Sequence, residues 1–176
     1  MEQVCISSLD QLLLGREFDL EEDYRDWVTG RGYLLVCDEE SVRDSAVRFL
    51  KNIVNFRYLD VNAEPQGKKI SEMCIAACGT SYQLQKDRAF DFEPSYWLRE
   101  YKGFALVVDN FQDIGLLANR EVKLALAFLR SLGRSPYKMA VIGVGSKEAL
   151  DVIDLDLQLK RSWKICEIVA DSPEET

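Results

Sequence analysis

Phe104-Ala105-Leu106-Val107-Val108-Asp109-Asn110 is a run of apolar and β-branched residues that stops at a carboxylate. Such a run reads as a buried parallel strand that delivers Asp109 to the carboxyl edge of a sheet. Open α/β sheets bind their ligands at that edge, so the crevice beside Asp109 is the first place to look for function. Two similar runs, Tyr33 to Cys37 and Met139 to Val144, also end in polar or Gly-containing turns before helical patterns.

Working outward, Asp38-Glu39-Glu40 is the turn after the first of these strands. Ser41 and Asp44 read as a capping box, and Val42, Ala46, Val47, Leu50, Ile53 and Val54 form the stripe of the helix it opens. Phe56 to Val61 is a further strand, and Ile70 to Cys78 is a helix closed by Gly79. Ser81 to Tyr101 is irregular and aromatic, and reads either as a lid over the sheet or as a binding loop. After Asp109, residues 111–118 form a loop and Arg120 to Leu132 a helix. Ser146 then starts a helix through Ile153, and Trp163 to Val169 is a fifth strand. Alternating strands and helices predict a three-layer α/β sandwich with a mostly parallel five-stranded sheet. The expected division is an N-terminal helical segment over residues 1–30, an α/β core over 31–170 and an acidic tail over 171–176. The N-terminal segment contains Ser8 to Leu14 and the acidic run Asp19 to Asp26. That run reads as a solvated helix face docked on the core, or as an exposed surface for a protein partner.

Composition narrows the function. The 176 residues are 47% hydrophobic, enough for one sizeable core. A net charge of -8 argues against a broad basic face for nucleic acid. No membrane span or signal core is visible, so the chain is expected to be cytoplasmic. The absence of histidine removes Ser-His, Cys-His and His-metal chemistry. Cys74 and Cys78 are four apart, but with no second pair at zinc spacing they read as small core residues, and no metal is expected.

The turn at Asp38 to Ser41 has neither the glycines nor the Lys of a phosphate loop, and its three carboxylates would repel a triphosphate. Gly67-Lys68-Lys69 does not replace it, since it lacks the upstream glycine and has Lys where Ser or Thr belongs.

The order of four blocks resembles the TniB/TnsC branch of AAA+ ATPases. They are Leu106 to Asn110, the helix with Phe128-Leu129, Val141 to Leu150, and Asp154-Leu155-Asp156-Leu157-Gln158-Leu159-Lys160-Arg161-Ser162-Trp163. The resemblance implies a P-loop-like core and a regulator that links target DNA to a transposase. It also implies that Asp109 is the retained Walker B aspartate, with Asn110 in place of the catalytic Glu. Ser146 stands near the sensor position, and Arg161 matches the arginine that reaches a neighbouring subunit. Because the glycine-rich loop is missing, the expectation is a pseudo-ATPase and not an enzyme. Asp38, Glu39, Ser41, Asp109, Asn110 and Ser146 would then line a vestigial crevice, while Arg161, Tyr96 and Trp97 are interface candidates. No cofactor is expected short of weak residual ATP and Mg²⁺ binding. The partner would be a transposition protein or a second copy, without strong direct nucleic-acid binding and without a membrane. Tyr33 to Leu50 also resembles the opening of a receiver-type signalling domain, which implies that Asp38, Glu39 and Glu40 hold Mg²⁺ beside Asp109 as the phospho-acceptor, with Ser146 near the switch hydroxyl. A third reading is a plain α/β interaction module with an empty crevice.

Overall fold

The computed structural model describes residues 1–14, 32–53, 56–62, 70, 73, 105–133 and 140–171. Its strands are β1 (Glu2–Cys5), β2 (Gly32–Val36), β3 (Phe56–Asp60), β4 (Ala105–Asp109), β5 (Ala140–Gly145) and β6 (Trp163–Val169). The helices are α1 (Leu9–Leu14), α2 (Glu40–Ile53), α3 (Asn119–Leu132), α4 (Ala149–Asp154) and α5 (Leu157–Ser162). Short 3-10 turns occupy Ile6–Ser8 and Phe111–Leu116.

The six strands form one sheet in the order β1-β6-β2-β5-β4-β3, and every pairing is parallel. β2, β4 and β5 are buried on both faces, which is why their sequences are continuously apolar rather than alternating. Alternate residues still part to opposite sides. Leu34, Val36, Leu106, Val108 and Val141 pack with Phe111, α3, α4 and Leu159. Tyr33, Leu35, Val107, Ile142 and Val144 pack with Val42, Ala46, Val47 and Leu50 of α2 and with Leu9. The result is helix, sheet, helix, as the alternating pattern predicts.

Three expectations need correction. The sheet has six strands, not five, because Glu2–Cys5 is a strand where the sequence suggests only helix. Val4 alone of that strand is buried, so no apolar run betrays it. It is fixed by register on β6 and by polar links instead: Gln3 Nε2 donates to Glu167 Oε2 at 3.1 Å, Lys164 Nζ lies 2.9 Å from Glu2 Oε2, and the Ser7 hydroxyl donates to Asp171 Oδ1 at 2.7 Å. Second, residues 111–116 of the loop expected over 111–118 are a 3-10 turn, with Phe111 and Ile114 fully buried. Third, Ser41 makes no capping box. The helix starts at Glu40, and the Ser41 hydroxyl donates to Glu39 Oε1 at 2.7 Å.

Two positions require glycine. A Cβ on Gly32 would lie 2.0 Å from Trp163 Nε1, and one on Gly143 would lie 2.8 Å from Phe111 Cδ2. The Phe111 and Trp163 rings themselves meet at 5.7 Å between centroids. Among the described residues no helix is long and apolar enough to cross a membrane. The acidic run 19–26, Gly67-Lys68-Lys69, Cys74, Cys78 and the aromatic segment with Tyr96 and Trp97 lie outside the described residues, as does the helix expected at 70–78 except for helical Ile70 and Met73.

Candidate functional site

Because all strands run the same way, the ends of β2, β3, β4 and β5 meet along one edge. The chain leaves β2 for the far strand β3, returns through β4 and β5, and then crosses β2 to form β6. The switch in strand order therefore falls at the carboxyl end of β2, between β5 and β6, the place where open α/β sheets bind ligands.

Two polar groups fill that edge. In the first, the turn after β2 is closed from within. Arg43, in the first turns of α2, donates from Nη1 to Cys37 O at 2.6 Å and to Asp38 O at 2.9 Å. The Asp38 carboxylate accepts from the Lys147 backbone N–H at 3.0 Å, and Lys147 Nζ reaches Glu167 Oε1 at 2.9 Å and Asp38 Oδ2 at 3.9 Å. The hydrogen bond from Lys147 holds the Glu167 carboxyl below its usual range, with Gln3 adding to it, and the same bond raises the Lys147 ammonium.

The second group surrounds Asp109. Tyr58 Oη donates to Asp109 Oδ2 at 2.7 Å, and the Asn110 N–H donates to Asp109 Oδ1 at 2.8 Å, so both carboxylate oxygens are engaged. Burial, then the hydrogen bond to Asp109, raises the Tyr58 phenol well above its ordinary range. Lys51 Nζ sits 4.6 Å above the Tyr58 ring and pins it. Asn110 has φ 53°, a left-handed conformation that Asn tolerates better than most residues. From there its Nδ2 donates to Asp60 Oδ1 at 2.8 Å. Gln112 ties this group to β5: its Oε1 accepts from the Ser146 N–H at 3.2 Å, and its Nε2 lies 3.4 Å from Asn110 Oδ1. Ser146 is no side-chain helix cap, because its Oγ is buried without a partner among the described residues and α4 begins at Ala149.

The structure thus brings Asp38, Glu39 and Ser41 together, and separately joins Asp109, Asn110 and Ser146 through Gln112. Arg161 belongs to neither group. It lies on α5 just before β6, at the opposite, amino edge of the sheet, exposed and without a hydrogen bond or ion pair among the described residues. Sequence reasoning overlooked Tyr58, Asp60, Gln112, Lys147 and Arg43. Asp60 could have been found, since it ends β3 as Asp109 ends β4 and the two are in register. The others act through side-chain reach across strands, which no local pattern reports.

Two chemistries can be tested against this geometry. A triphosphate needs backbone N–H groups turned toward it by glycines, with a lysine alongside. Here the turn offers carbonyls to Arg43 and carboxylates to Lys147, so these residues do not fit a phosphate cradle. A receiver-type Mg²⁺ site needs Asp38 and Asp109 together, but Asp38 is held by Lys147 while Asp109 faces Tyr58 and Asn110. No group of three or more potential metal ligands occurs among the described residues. Numbered from β2, the sheet runs 5-1-4-3-2, whereas a receiver runs 2-1-3-4-5. The receiver reading is therefore corrected by strand order.

Comparison with known proteins agrees with the strand order. A family model described as "Bacterial TniB protein" matches residues 42–169. No curated protein matches the sequence significantly. Among solved structures, the Aeropyrum pernix ORC2 protein in its ADPNP-ADP complexes is similar, with TM-score 0.63 and 13% identity, over 94% of this chain and 47% of that one. The Walker-type ATPase PABY2304 of Pyrococcus abyssi is similar with TM-score 0.55 and 16% identity, over 82% of this chain and 50% of that one. The chain spans about half the length of either. At these identities the two structures establish the fold, an AAA+/P-loop-type core. The expectation that the chain is not an enzyme is overturned by the same matches, because the family and fold they point to are those of ATPases. The missing phosphate loop does not take the chain out of an enzyme family.

Proposed function

Since the chain belongs to the TniB family, whose model spans residues 42–169, we propose that it is an AAA+-type module of a DNA-transposition assembly that works through contacts with other proteins. The observation that carries this reading is the coincidence of that match with a P-loop-type strand order. The charge of -8 favours protein partners over direct contact with phosphate backbones, so DNA is reached through a partner. Arg161, exposed at the amino edge, is free to meet a neighbouring protein chain, which suits the interface role that its place in the family block implies.

The test is to delete the chain from a host in which a marked transposon moves. Transposition frequency is expected to fall and to recover with the wild-type chain, and an affinity-tagged copy is expected to recover the transposase. Unchanged frequency, together with recovery of nucleic acid alone, would refute the proposal.

A further inference from the structure

Five large apolar side chains are exposed among the described residues; Met1 precedes β1 and Leu124 lies on α3, and the other three lie on or next to the 3-10 turn 111–116, α4 and α5. Leu116 is 84% exposed, Leu155 61% and Leu157 64%. Leu116 follows Gly115, where a Cβ would lie 3.0 Å from Val152 Cγ2, and Leu155 lies three residues beyond Val152, about one helical turn. The 3-10 turn 111–116 therefore packs on α4, so that Leu116 adjoins that helix and Leu155 follows its last residue, with Leu157 opening α5.

The surface of α4 is acidic. Glu148, the residue just before α4, and Asp151 and Asp154 within it are exposed at a spacing of three, which lines them along its solvent side. Asp154 is paired with Lys160 at 2.6 Å, but Asp113, Glu148 and Asp151 have no cationic partner among the described residues. Asp113 also feels its like-charged neighbours: burial first, then Asp60 and Glu148, push its carboxyl up. Lys147, the nearest cation in sequence, is turned toward Glu167 and Asp38 instead.

We propose that this face, Leu116 and Leu155 bordered by Asp113, Glu148 and Asp151, docks a Lys- and Arg-rich amphipathic helix from a protein partner. Leu157 lies outside it, because exposed Arg161 stands one turn further along α5. The inference rests on the reading that the chain acts through protein contacts, and it names the chemistry of the partner. Leucines supply the apolar contact of a helix-in-surface mode, and the carboxylates select positive charge on its flanks. Charge chooses between occupants. A second copy of this face would oppose carboxylate to carboxylate, and a nucleic acid would bring further negative charge.

The probe is a fluorescein-labelled 16-residue amphipathic peptide of Leu and Lys, with a Leu and Glu counterpart, titrated against the intact chain in an anisotropy assay. The Lys peptide is expected to bind, with affinity falling as salt rises, and the Glu peptide is not. Leu155→Ser and Asp151→Lys should each weaken the Lys peptide by about tenfold, the scale of one interface residue that matters. Asp44→Lys, on α2 across the sheet, should leave binding unchanged. All three positions are exposed, so the variants keep the fold, and circular dichroism verifies it. Equal binding by Leu155→Ser, or an equal loss with Asp44→Lys, would overturn the assignment as non-specific charge attraction. A dimer in light scattering that Leu155→Ser dissolves would overturn it in favour of a second copy. If the peptide result is negative while the transposase still co-purifies, this surface is wrong and the protein-contact reading stands.

Discussion

Asp156 begins α5 and performs two jobs with one carboxylate. Its Oδ1 accepts from the Gln158 and Leu159 N–H groups, each at 3.0 Å, and both oxygens lie 2.7 Å from Arg130 Nη1 on α3. Replacing Asp156 with Ala removes the N-cap, worth about 1 kcal/mol. It also strands Arg130. An exposed pair is worth up to about 1 kcal/mol, and breaking a fully buried one costs about 3–5 kcal/mol. With side chains only 23% and 15% exposed, the pair lies between these figures, at about 2 kcal/mol. Asp156→Ala is therefore expected to destabilise by about 3 kcal/mol, a fall of about 6–12 °C in melting midpoint for a domain of this size. Asp156→Asn keeps a good cap and should lose only about two thirds of that. In an Arg130→Met background the ion pair is already gone, so Asp156→Ala should cost only about 1 kcal/mol more, the capping share. Urea and thermal unfolding followed by far-ultraviolet circular dichroism measure all four. If Asp156→Asn is as damaging as Asp156→Ala, the cap contributes nothing. If the cost of Asp156→Ala is the same in both backgrounds, the pair contributes nothing, and the division between cap and ion pair is wrong.

Three further outcomes can be checked on the same instrument. Gly32→Ala must displace the Trp163 indole, whose Nε1 would be 2.0 Å from the new Cβ, and should destabilise by about 1–3 kcal/mol while altering tryptophan emission; wild-type stability with unchanged emission would show that the space exists. The Tyr58 phenol is raised in the folded state, so its contribution is complete below the unfolded value near pH 10 and is lost as pH climbs beyond it. Tyr58→Phe should accordingly be less stable than wild type at pH 8 and close the gap above about pH 10, and a constant gap would contradict the Asp109 hydrogen bond. Asp113 is likewise raised, so its ionisation opposes folding as pH rises through the folded value. Asp113→Asn should raise the melting midpoint at pH 7 and raise it less at pH 4, and the reverse order would contradict crowding by Asp60 and Glu148.

What the sequence reveals and what it hides divide along a physical line. The strands that decide the fold are buried on both sides, and burial forces their composition, so Tyr33 to Val36, Ala105 to Val108 and Ala140 to Val144 are legible without a structure. The stripe of α2 is legible for the same reason, and α3 is bounded to within one residue. β1 is hidden because an edge strand held by Gln3, Glu2 and the Ser7–Asp171 contact needs only one apolar residue. The 3-10 turn at 111–116 is hidden because two buried side chains three apart, Phe111 and Ile114, make too short a period to notice. At the site, Asp109 and Asn110 announce themselves by ending a strand, whereas Lys147 and Tyr58 matter through partners 109 and 51 residues away.

The turn after β2 shows why the strand order and the turn carry separate information. In a P-loop protein the turn is shaped by the phosphates it surrounds, and its glycines leave the backbone N–H groups free for them. Here the same place in the same strand order is shaped by the protein's own charges: Arg43 takes the carbonyls of Cys37 and Asp38, and Lys147 takes the carboxylates of Asp38 and Glu167. Glu167 in turn receives Gln3, so the turn is linked through β6 to the N-terminal strand. None of these contacts is needed for the two cores that hold the sheet, which lie on its faces and not at its edge. A sheet of this kind can therefore keep its order while the chemistry of its first turn changes completely. That is why kinship in this chain is readable from Leu106 to Asn110 and from Asp154 to Trp163, and not from the residues between Cys37 and Ser41.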